Sequence, residues 1–140
     1  MHRIAILPMF LCSCAFHTSD ITPVGPDGWE DTVQEAIDIW EYSTDCEVAN
    51  IGYDEGNNTI TLIDSDSWPH DSSYVGWTTW KGDIEIAGNS IESKLTIVLH
   101  ELGHRMGLVH SSDSLSIMDP SPEVEYPSHD DILNVRAICY

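Results

Sequence analysis

His100-Glu101-Leu102-Gly103-His104-Arg105-Met106-Gly107-Leu108-Val109-His110 is the stretch on which the fold of this chain turns. It closes a longer run, Ser90 to Met106, in which Leu95, Val98, Leu99, Leu102 and Met106 line one side at helical spacing, and Gly107 ends the helix. Two imidazoles four residues apart, His100 and His104, stand one turn apart on one face and can reach the same ion. Glu101 lies between them, where its carboxylate reaches a water on that ion without being a ligand, as a general base requires. Gly107 permits a sharp turn, so His110 can come back toward the ion from outside the helix. Three neutral nitrogen ligands leave the fourth position of Zn2+ open, which distinguishes a catalytic site from a closed structural one.

Extended in this way, the pattern resembles the metzincin signature, a His-Glu-x-x-His helix with a third His and a downstream Met-turn. Within the metzincins it is most similar to the matrixins. His110-Ser111 followed by Ser116-Ile117-Met118-Asp119-Pro120 resembles the matrixin passage from third ligand to Met-turn, which implies that Met118 packs beneath the metal. Ser128-His129-Asp130-Asp131-Ile132 is similar to the start of the matrixin C-terminal helix, whose acidic pair braces the active-site region. Val75-Gly76 resembles the edge strand of the matrixin cleft, which implies that an extended substrate adds there as an antiparallel strand. Asp119 and Pro122 stand where matrixins typically carry aromatic residues in the wall of the specificity pocket, so the pocket preference does not transfer. His70 and Asp71 lack the partners of a second zinc site, and calcium has no support beyond scattered acidic residues.

The resemblance implies an α/β (α+β) metzincin fold: a twisted mixed sheet with an antiparallel edge strand, two helices in the N-terminal part, and a small C-terminal part with one helix. The residues upstream and downstream agree. Asp27 with Glu30 reads as a helix cap, and Val33, Ile37 and Trp40 predict a first helix over Trp29 to Tyr42. Thr59 to Ile63 is a β-branched strand after the Gly56-Asn57-Asn58 turn, and Tyr74 to Trp80 with Asp83 to Ala87 form a hairpin about Lys81-Gly82. Pro120, Pro122 and Pro127 mark an irregular stretch; Ser128 and Asp131 then cap a last helix whose buried stripe is Ile132, Val135 and Ile138.

At 140 residues the chain is one domain. Its 24 acidic against 5 basic side chains give a formal charge of -19, which excludes nucleic acid as a partner and leaves either a solvated acidic surface or attraction to cationic peptides. No stretch is apolar enough to span a bilayer. Residues 1–13 read as an export signal, and Leu11-Cys12-Ser13-Cys14 resembles the bacterial lipoprotein box, which implies lipidation of Cys14; an ordinary cleaved signal or an N-terminal strand is the other reading. Residues 14–28, polar with Pro23, Gly25 and Pro26, read as a tether to a peptidase domain over 29–140. Outside the cytoplasm, Cys46 and Cys139 would form a disulfide or else stay as two buried thiols.

The expected function is that of a zinc-dependent endopeptidase with one catalytic zinc, Glu101 as base and peptide or protein as substrate. The expected molecule is a monomer, exported to the envelope or beyond and attached to a membrane only through an N-terminal lipid. A zinc-containing but catalytically silent surface binding domain is the competing reading.

Overall fold

A computed structural model describes residues 20–90 and 93–140. The export signal and Cys14 therefore lie outside the described residues. Among the described residues, four strands and three α-helices follow one another as β1 (Ile21–Val24), α1 (Trp29–Thr44), β2 (Asn58–Ile63), β3 (Gly76–Thr78), β4 (Ile84–Ala87), α2 (Lys94–Arg105) and α3 (His129–Cys139), with a 3-10 turn at Ser65–Ser67. The sheet order is β1-β2-β4-β3. β1 and β4 pair parallel to β2, while β3 runs antiparallel to β4 at the end of the sheet, giving the mixed sheet with an antiparallel edge strand. No described helix is long and apolar enough to cross a membrane.

Alternation along the strands separates two faces. Ile60, Ile84 and Ile86 are fully buried under the helices, whereas Glu85 and Trp77 point away from them and pair across β4 and β3. α1 buries Trp29, Val33, Ala36, Ile37 and Trp40 on the inner face. Its two indoles also act as tethers: Trp29 Nε1 donates to the Ile60 carbonyl of β2 and Trp40 Nε1 to the Leu99 carbonyl of α2, each at 3.0 Å. Both bonds satisfy the polar atom of a large buried ring and fix α1 against the sheet and against α2.

Three expectations are corrected. The presumed tether contains β1: Ile21 is fully buried, its N–H donates to the Asn50 carbonyl, and residues 21–24 pair with residues 58–61. Pro23 is tolerated because β1 is an edge strand. Asp27 does not cap α1; Gly28 occupies the cap with φ 84°, and the Glu30 carboxylate accepts from the Tyr53 hydroxyl instead of reaching back to the backbone. The first strand of the hairpin is confined to Gly76–Thr78, far shorter than the β-prone run around it.

Candidate active site

α2 begins at Ser93, whose hydroxyl accepts from the Thr96 N–H, and it ends in a reversal that also shapes the site. Gly107 N donates to the His104 carbonyl and Leu108 N to the Gly103 carbonyl, both at 2.9 Å, the paired bonds of a Schellman motif. Gly107 has φ 103°, a conformation that a side chain would strain. The reversal brings the Leu108 carbonyl to 2.9 Å from His104 Nδ1. One turn thus both stops the helix and orients a histidine.

His100 is held in the same manner from a different segment. Its Nδ1 lies 2.7 Å from the Ile117 carbonyl, directly before Met118. A carbonyl only accepts, so both Nδ1 atoms carry the proton and both Nε2 lone pairs point inward. His110 completes the group: the three histidines offer ligand atoms within 4.8 Å of one another, and His100 Nε2 lies 3.3 Å from His110 Nε2. Two nitrogens about 2.1 Å from a tetrahedral zinc stand about 3.4 Å apart, so this spacing and this donor set fit the ion that the sequence implies.

Burial favours the neutral form of all three histidines. Loss of solvent, followed by the neighbouring His104, lowers the His100 pKa to about 4 against the pull of the Ile117 carbonyl. His104 and His110 are lowered as well, chiefly by desolvation. Neutral imidazole is the form that binds metal.

Glu101 is 5% exposed and lies between α2 and β3. Its Oε2 accepts from Thr78 Oγ1 at 2.5 Å, and Thr78 also reaches the Glu101 carbonyl at 3.2 Å. Gly76 gives the carboxylate its room: a Cβ there would stand 2.8 Å from Glu101 Cγ. Burial pushes the carboxyl up to about 7, and the Thr78 hydrogen bond restrains the rise. Thr78 is a site residue that the motif did not single out, although strand alternation places it on the same face as Gly76.

Met118 is buried and packs on α2 at Gly103, where a Cβ would stand 3.2 Å from the Met118 methyl and closer still to its sulfur. Its segment is fastened by Asp131 in the first turn of α3. Asp131 Oδ1 accepts from Ser116 Oγ at 2.6 Å, and Oδ2 accepts from Ile117 N at 2.9 Å and from Ser128 N at 2.8 Å. The last bond belongs to the capping box with Ser128. A single carboxylate, 3% exposed, therefore starts α3 and holds the segment whose carbonyl orients His100.

Val75 is half-buried against the core, and its carbonyl accepts from Ala87 N; with Gly76 it leads into the edge strand beside Glu101. Cys46 and Cys139 are brought together in a disulfide with Cα atoms 6.3 Å apart, joining the loop after α1 to the end of α3. His70 lies away from the triad, stacked on Trp77 and 2.5 Å from the Glu85 carboxylate.

No curated protein matches the chain. A family model described as Matrixin matches residues 64–138, more than half of the chain and all of the site from Thr78 to Asp131. By that match, over a mixed α/β fold carrying three convergent histidines, the chain belongs to the matrixin family of metallopeptidases.

Proposed function

We propose that the protein is a zinc-dependent endopeptidase in which His100, His104 and His110 hold one ion and Glu101 is the general base. The observation that supports this reading is the buried Glu101 carboxylate, carried by α2 next to His100 of the three-histidine group and, among the described residues, hydrogen-bonded to Thr78 of β3. When bound, zinc would supply Lewis acidity at the scissile carbonyl and lower the pKa of the attacking water.

The chain's own residues supply the rest. Among the described residues no strand pairs with the outer edge of β3, so the backbone from Val75 to Thr78 can receive an extended substrate as an added strand. Glu101, its carboxyl pushed up to about 7 by burial, takes a proton from the attacking water and delivers it to the departing amine. Thr78 donates to the ionised carboxylate and thereby favours the base form and fixes its rotamer. The Ile117 and Leu108 carbonyls keep His100 and His104 in the ligating tautomer. The Cys46–Cys139 bridge supports an oxidising, extracytoplasmic location.

Zinc analysis and peptide-library digestion of the protein and of Glu101→Ala test the assignment. About one zinc per chain in both, with cleavage only by the unaltered protein, is expected. Equal cleavage by the two would sink the role of Glu101, and zinc without cleavage in either would move the reading to a silent binding domain.

A further inference from the structure

Asp119 follows the buried Met118 and is only half-buried, so the chain emerges at the rim of the site at this residue. Two hydrogen bonds locate it. The Met118 carbonyl accepts from Ser111 N at 2.9 Å, which lays this segment beside the one carrying His110, and the Ile117 carbonyl holds His100 at 2.7 Å. Its own backbone is set by a turn in which Asp119 N donates to the Ser116 carbonyl at 3.2 Å. The side chain is set as well: Oδ1 accepts from Ser121 N at 2.8 Å, folding the carboxylate over Pro120. The Asp119 charge favours the protonated forms of both His100 and His110, against the desolvation that lowers their pKa values.

No cation of the chain pairs with Asp119 among the described residues. Lys94 Nζ binds the Ser90 carbonyl and hydroxyl, Arg136 binds the Thr44 and Ser43 carbonyls, Arg105 feels the Asp83 charge, and Lys81 lies over Trp80. Exposed Glu123 and Glu125 continue the acidic character of the same segment, and the whole chain carries -19. A carboxylate held by the Ser121 N–H and, among the described residues, without a lysine or arginine partner is complementary to a cation brought by the substrate.

We propose that Asp119 is a specificity-determining residue and that the substrates are cationic peptides, with a lysine or arginine side chain flanking the scissile bond seated against the Asp119 carboxylate. This rests on the peptidase reading above. Long-range attraction by the acidic surface raises the encounter rate of any cationic peptide, while Asp119 decides which of its bonds lies at the zinc.

The test uses zinc-loaded protein and fluorogenic peptides that differ only in one residue, Lys, norleucine or Glu, at each position flanking the scissile bond. At one of the two positions kcat/KM should fall by several-fold from Lys to norleucine and again from norleucine to Glu. Asp119→Asn, which keeps an acceptor for Ser121 N, should bring the Lys to norleucine ratio close to one, and Asp119→Lys should favour Glu. Binding of the same peptides to zinc-loaded Glu101→Ala, followed by fluorescence anisotropy, gives the ranking without turnover. No charge preference in either assay, or a Lys preference that survives Asp119→Asn, overturns the proposal. Charge-selective binding without hydrolysis by the unaltered protein would instead overturn the peptidase reading and leave the role of Asp119 standing.

Discussion

Glu101 carries an electrostatic cost that the isolated fold does not recover. Its carboxyl titrates near 7 instead of near 4.5 because it is buried, so between those values the folded chain binds more protons than the unfolded one. That contribution is harmless at low pH and grows as pH rises through the window. Glu101→Gln should therefore stabilise the metal-free protein at pH 8 by about 1–3 kcal/mol, with no gain at pH 4, as read from urea unfolding at the two pH values. The histidines act in the opposite direction. Their depressed pKa values make the metal-free fold lose stability as pH falls below about 6.5, for His100 down to about 4, because the unfolded imidazoles charge first. Zinc should accordingly stay bound below the ordinary imidazole range and leave at more acidic pH, which zinc release followed with a chromogenic chelator checks. Thr78→Val removes the donor that favours the Glu101 anion, so kcat should fall and the acid limb of the pH–rate profile should move to higher pH.

Among the elements, α3 matters less for its own burial than for the carboxylate at its start. Asp131→Ala removes a cap and strands Ser116 Oγ and Ile117 N, an expected loss of about 2–4 kcal/mol with weaker zinc binding, since the Ile117 carbonyl would no longer be held against His100. Thermal denaturation with and without zinc separates the two effects. Asp131 was legible in advance as a helix cap, and the acidic start of α3 as a brace by resemblance, because both depend on local spacing. α2, α3 and the hairpin about Gly82 were legible for the same reason. β1 was not: only Ile21 of its four residues is buried, Pro23 and the nearby Gly25 and Pro26 imitate a tether, and the strand exists through pairing with β2, more than thirty positions away. Asp27 failed as a cap because Gly28 takes the left-handed position and Glu30 is drawn to Tyr53. Thr78 escaped notice because nothing in its neighbourhood reveals that it meets Glu101, twenty-three residues on.

On the scale of the whole molecule, two opposed influences act on the fold. An excess of nineteen negative charges repels itself, a term that salt weakens, so melting should rise between about 0.02 and 0.3 M NaCl. Against it stands the Cys46–Cys139 bridge, which joins positions 93 residues apart. Removing it by Cys46→Ser with Cys139→Ser should cost about 2–4 kcal/mol, measured by denaturant unfolding without reductant.

Under the proposed peptidase activity, in which each molecule is surrounded by copies able to cut it, the bridge has another consequence. It turns residues 46 to 139 into a covalent ring that includes the exposed 64–74 and 120–127 stretches. A single nick anywhere between the two cysteines opens the ring without releasing a fragment. Chains clipped once by their neighbours would migrate as one piece until a reductant is added, and the surviving contacts would hold the cut ends near their original places.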